Sequence, residues 1–184
     1  MNAMKRIYEE YFSICQHPIV TLGVDIDLIG DDYEKRNIFN WGVAMLAPND
    51  TPYEGGMFIL DINFPEDYPN SKPEVVFRTP IYHVNVNPIK SNMPGAEPLG
   101  QVYIPKLNCW KPEYKMEDVL TDIFYLFYIS NPESPYCLDR VNEVRFNKAL
   151  HEEKIRYFTK KYAELGKGDI DMKYFESWDF TYNK

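Results

Sequence analysis

Few side chains in this sequence have the chemistry for a covalent step, and their spacing narrows the choice further. There are three cysteines, Cys15, Cys109 and Cys137, with no CxxC or CxxH pattern. That spacing argues against a metal site, and no cofactor is expected. An odd thiol count fits a reducing compartment. Tyr103 lies in Gly100-Gln101-Val102-Tyr103-Ile104, Asn85 closes His83-Val84-Asn85, and Ser134 sits in Asn131-Pro132-Glu133-Ser134-Pro135. A free cysteine, with pKa about 8.5, is a few per cent thiolate at neutral pH. A tyrosine, with pKa about 10, is roughly 0.1% phenolate. Tyr103 is thus a weak nucleophile unless a base or cation activates it, and the sequence names none.

These residues need elements to position them. Residues 3–15 carry Met4, Ile7, Tyr8, Tyr11, Phe12 and Cys15 at helical spacing, which predicts a helix with those six as its apolar face. His17-Pro18 ends it. Val20, Leu22, Val24, Ile26 and Leu28 alternate through a half-buried strand over 19–29, followed by a Gly30-Asp31-Asp32 turn. Ile38–Leu46, Met57–Phe64 and Glu74–Phe77 read as further strands, the first two joined by the turn Pro48–Gly56. Strands in sequence with short turns predict an antiparallel meander. Residues 86–100, with Pro88, Pro94, Gly95, Pro98 and Gly100, read as a loop. Met116–Ser130 is the clearest helix, with Met116, Val119, Leu120, Ile123, Phe124 and Phe127 on one face and Leu126 and Ile129 widening it. Asn131-Pro132 stops it. Two more helices follow at Asp139–Ala149 and His151–Leu165, and His151, Ile155, Phe158 and Tyr162 share a face of the second. Gly166-Lys167-Gly168 is a C-cap signal. The expected organisation is one α+β domain over 1–165 with an N-terminal helix, a four-stranded antiparallel meander and three C-terminal helices. An aromatic tail over 166–184 carries Tyr174, Phe175, Trp178, Phe180 and Tyr182, which either pack on the domain or anchor a partner.

The ordered series Asn40-Trp41, Ala47 to Gly56, Phe64-Pro65-Glu66-Asp67-Tyr68-Pro69, Ile81-Tyr82-His83-Val84-Asn85, Gly100 to Ile104, Trp110-Lys111-Pro112 and Asn131 to Pro135 closely resembles the ubiquitin-conjugating enzymes. The resemblance covers about residues 3–165 and implies the fold of that family. It implies that the residue at Tyr103 should be the cysteine that carries ubiquitin as a thioester. Asn85 matches the amide that stabilises the oxyanion, His83 a structural histidine, and Ser134 the residue lining the entrance to the site. Val84 replaces the proline of the His-Pro-Asn triplet. Lys5 and Arg6 match the basic pair that touches the activating enzyme and ligases. Asn70 stands where a large apolar residue is common, and Lys111-Pro112-Glu113 replaces a Ser-Pro-Ala loop, so a typical ligase contact is weakened at Asn70, Pro112 and Glu113. The loop between Asn85 and Tyr103 is longer than the common spacing, and the segment from Tyr103 to Trp110 is shorter.

With Tyr103 in the slot, no catalytic residue is expected, and Tyr103, Asn85, His83 and Ser134 form a vestigial site. The expected function is a noncatalytic binding or regulatory module in conjugation of ubiquitin or a ubiquitin-like modifier. Its partners would be that modifier, an active conjugating enzyme or a ligase. One alternative is an active enzyme with a relocated nucleophile at Cys109, or less favourably Cys137; another is a structural adaptor. The ubiquitin-conjugating variant group typically lacks the last two helices, which this chain has. The net charge of −8, from 20 basic and 28 acidic residues, argues against nucleic acid and an anionic membrane as partners. No apolar run approaches the roughly 18 residues of a membrane span, and no apolar signal core follows Met1. The expected location is the cytosol or nucleus.

Overall fold

The computed structural model of the chain describes residues 2–17, 24–28, 37–133, 135–164 and 178–182. Ile19, the Gly30-Asp31-Asp32 turn, Ser134, the Gly166-Lys167-Gly168 cap, Tyr174 and Phe175 lie outside the described residues. The architecture is α+β, in the order α1 (Ala3–Gln16), β1 (Val24–Leu28), β2 (Asn40–Leu46), β3 (Met57–Asn63), β4 (Glu74–Phe77), α2 (Pro105–Asn108), α3 (Met116–Tyr125), α4 (Leu138–Phe146) and α5 (Lys148–Tyr162). The strands form one antiparallel sheet in sequence order. No helix among the described residues is long and apolar enough to cross a membrane.

Period-two patterning sets the sheet. Trp41, Val43 and Met45 of β2, Phe58, Leu60 and Ile62 of β3, and Val75 and Phe77 of β4 are all buried. Register pairs them across the ladder as Trp41 with Ile62, Val43 with Leu60, Ile62 with Val75 and Leu60 with Phe77. A one-residue slip would turn this whole apolar set to solvent, so the burial fixes the register. The buried face of α3, Met116, Val119, Leu120, Ile123 and Phe124, belongs to the same core cluster.

Several expected boundaries move, each for a physical reason. The predicted helix over Met116–Ser130 ends at Tyr125, and the amides of Leu126, Phe127 and Tyr128 then bond three residues back. This tighter winding breaks the α period, so Phe127 stays buried while Ile129 is exposed and does not widen the apolar face. The break between the last two helices falls at Asn147, which ends α4 and whose side chain accepts from the Leu150 amide to start α5. The expected helices at Asp139–Ala149 and His151–Leu165 are displaced accordingly. A short helix, α2, opens with Pro105 at its first turn, between the Gly100–Ile104 segment and Trp110.

The expected apolar face of α1 is also corrected. Ala3, Ile7, Glu10 and Ile14 point inward, while Met4, Tyr8, Phe12 and Cys15 are exposed. Glu10 explains the rotation. Its carboxylate accepts from Arg6, from the Tyr68 hydroxyl (3.0 Å) and from the Met116 amide (2.7 Å). The last bond places a negative charge at the N-terminus of α3, where Lys115 supplies no side-chain cap. A charged residue is therefore core, and hydropathy alone reads that face wrongly.

Two substitutions test these constraints. Glu10→Ala strands three donors and should lower unfolding stability by about 3 kcal/mol or more in denaturant titration. Gly100 has φ +82°, and a Cβ there would stand 2.2 Å from the Phe77 carbonyl oxygen. Gly100→Ala should therefore cost at least about 2 kcal/mol in the same measurement.

Candidate functional site

The segment carrying Tyr103 is stitched on both sides. Toward β4, the Phe77 amide donates to Gly100 O (2.8 Å) and the Val102 amide to Val75 O (3.1 Å). Toward residues 85–87, Gly100 N donates to Asn87 O (2.8 Å), Asn87 N to Gln101 O (3.0 Å) and Tyr103 N to Asn85 O (2.8 Å). Only glycine allows the approach to Phe77 that starts this run. The Tyr103 side chain is half-exposed, and its ring meets Tyr136 edge to face at 6.0 Å. None of the described residues bonds its hydroxyl. The Tyr136 amide donates to Val84 O (2.8 Å), while its own hydroxyl oxygen is buried without a partner among them.

Asn85 is fully buried. Its Nδ2 donates to Asn131 O (2.8 Å), and the Asn131 amide donates back to its Oδ1 (2.8 Å). This reciprocal pair joins the turn at 83–85 to the chain leaving α3 and satisfies backbone groups that the following Pro132 cannot serve. His83 is buried beside it. Its Nδ1 accepts from the Asn85 amide (3.0 Å), and its Nε2 lies 3.0 Å from Leu126 O, which assigns the proton to Nε2. Burial lowers the His83 pKa to about 3, outweighing the bond to Leu126 O, so the ring is neutral. The Arg140 guanidinium donates from Nη1 to His83 O (2.9 Å).

The longer loop over 86–100 is anchored by Asn87. Its Nδ2 donates to Glu97 O (3.1 Å) and Pro98 O (2.8 Å), and its Oδ1 accepts from the Ile89 amide (3.0 Å). Cys109 is exposed and follows α2 as its C-cap. Cys137 is half-buried and precedes α4 as its N-cap. No group of three metal-ligating side chains occurs among the described residues.

The expected docking residues fall into two kinds. Lys5 is exposed and lies 3.8 Å from Glu9. Arg6 is mostly withdrawn from solvent: it bonds Glu10 and donates to Tyr114 O (3.1 Å), so it braces α1 rather than standing as a free cation. Trp110 Nε1 donates to Pro69 O (2.7 Å), which brings the segment holding Asn70 to that leading into Pro112 and Glu113. Asn70, Pro112 and Glu113 are exposed.

The sequence assigns no role to Asn87, Tyr136 and Arg140, and marks Asn131 only as a helix stop and part of the resemblance series. Asn131 had a legible signal, since a residue before proline leaves its backbone groups seeking partners. Arg140 had none, because nothing local marks a guanidinium for burial.

The family model for "Ubiquitin-conjugating enzyme" matches residues 7–159. The chain is 38% identical over 122 residues to "Ubiquitin-conjugating enzyme E2 T" of Danio rerio, a match covering 66% of this chain and 60% of that protein. It is 32% identical over 158 residues to "Ubiquitin-conjugating enzyme E2 13" of Arabidopsis thaliana, covering 83% of this chain and 90% of the relative. Motif order, sheet, central helix and the matched span agree, and the chain belongs to the ubiquitin-conjugating enzyme family.

Proposed function

We propose that this chain is a noncatalytic member of its family that works as a binding or regulatory module in conjugation of ubiquitin or a ubiquitin-like modifier. The observation that carries the reading is Tyr103 in the nucleophile slot, with no described base or cation bonded to its hydroxyl. Thioester exchange needs a polarisable thiolate, and a phenol replaces it with a weaker acid and a harder nucleophile. The commitment of the Asn85 amide oxygen and one amide N–H to Asn131 supports a folding role for that residue. The proposal treats residues 1–165 as the family domain and 166–184 as a tail. It takes the modifier, an active conjugating enzyme or a ligase as partners, and the cytosol or nucleus as location. The exposed Glu113 and Asn70 support a weakened ligase contact, because a carboxylate and an amide replace apolar anchors.

An active enzyme using Cys109 is the second reading. It is favoured by the exposure of that thiol directly after α2, the helix that follows the slot. A charging reaction separates the two. The protein is mixed with activating enzyme, ATP and ubiquitin and run with and without reductant, beside an active conjugase. The proposal expects no shifted band. A reductant-sensitive band that Cys109→Ser abolishes would replace it with the second reading.

Two variants extend the test. Tyr103→Cys should gain a reductant-sensitive ubiquitin adduct in the same gel, because the slot backbone keeps its bonds to Asn85 and β4 whatever side chain stands there. Asn85→Ala should lower the denaturation midpoint by an amount equivalent to about 2 kcal/mol, since it strands the Asn131 amide and carbonyl in a buried turn.

A further inference from the structure

The tail segment 178–182 lies along α5 and reaches the site through one buried cation. Tyr162 donates its hydroxyl to Asp179 O, Lys161 pairs with Asp179 at 3.1 Å, and Tyr182 meets Tyr157 edge to face at 5.2 Å. Phe180 is the inward residue. Its ring stands 4.9 Å from Phe158, 5.4 Å from Tyr82 and 4.6 Å from the Arg140 guanidinium carbon. A second ring, Tyr82, stands beside Phe180 at 4.2 Å from the same carbon. Arg140 is only 4% exposed, and no described carboxylate lies within ion-pair distance of it. Glu143, one turn further along the same helix, is occupied by Lys154, Tyr82 and His151.

A buried guanidinium without an anion is costly, and here two aromatic faces and a carbonyl offset that cost. The carbonyl belongs to His83, whose ring holds the Asn85 amide. We infer that Phe180 acts as a positioning residue: by covering Arg140 it keeps the guanidinium on His83 O and so sets the 83–85 turn against which Tyr103 and Tyr136 are hung. Without Phe180, one face of the cation opens to water, hydration competes with the His83 carbonyl, and the turn loosens. The coupling goes beyond the functional reading above and holds for a charged or an uncharged slot.

Amide hydrogen exchange on the full chain tests it. In Phe180→Ala the amides of Asn85, Tyr103 and Tyr136, all bonded within or onto this turn, should exchange about tenfold faster, the scale of a lost buried cation–π contact. Val43 and Leu60, paired in the middle of the sheet, should not change. Tyr182→Ala, which strips aromatic packing from α5 without touching Arg140, should leave the three amides at the wild-type rate. Phe180→Tyr should restore them, and Arg140→Met should reproduce the Phe180→Ala pattern. The inference is overturned if Phe180→Ala leaves the three amides unchanged, if it accelerates Val43 and Leu60 equally, or if Tyr182→Ala has the same effect. Should Arg140→Met not fold, the Phe180→Ala and Phe180→Tyr pair still decides.

Discussion

The contact between Gly100 and the backbone of Phe77 is the constraint on which the site depends. A hydrogen is the largest substituent that fits there, because a Cβ would meet the Phe77 carbonyl at 2.2 Å. That approach lets residues 100–102 bond to β4 on one side and to residues 85–87 on the other. Tyr103 then has no freedom in its backbone: its amide is held by Asn85 O, and the same turn is tied by the Asn85 side chain to Asn131. Position 103 is thus placed by main-chain bonds, while its side chain makes a ring contact and no directional bond among the described residues.

Buried polar groups do the joining that apolar packing alone would leave loose. Hydrophobic contact is non-directional and tolerates rotation and slip, whereas a buried donor or acceptor demands its partner. Glu10 fixes α1 to Tyr68 and to the start of α3. His83 fixes the end of α3 through Leu126 O, and Tyr53 fixes the β2–β3 turn to Tyr82 O. Arg140 adds α4, and with it the tail. Each pairing crosses between elements far apart in sequence, so the helices are registered on the sheet by a few directional bonds.

The elements were legible in sequence wherever burial follows a regular period. β2 and β3 alternate cleanly, and Met116 to Phe124 keeps a 3.6 period, so strands and central helix follow from hydropathy. The misread features are those where a polar side chain outweighs the period. Glu10 turned α1, leaving Tyr8 at 58% exposure, and Asn147 moved a helix boundary. In the candidate site, Tyr103, Asn85 and His83 could be named from sequence because they sit in a recognisable series. Arg140 and Asn87 could not, because their importance lies in long-range partners that no local spacing encodes.

That division bears on what a family-like frame says about activity. Several of the residues that carry the family resemblance have a folding task here: Trp110 bonds Pro69, Tyr53 bonds Tyr82, Asn85 bonds Asn131, His83 bonds Leu126, and Gly100 admits β4. Losing any of them would cost stability, so a chain under pressure only to fold would keep them all. Position 103 differs, since the fold uses its amide and asks of its side chain only an edge against Tyr136. The side chain at position 103 can therefore be exchanged without breaking a directional bond of the frame. The frame, in consequence, identifies the fold and is neutral on catalysis.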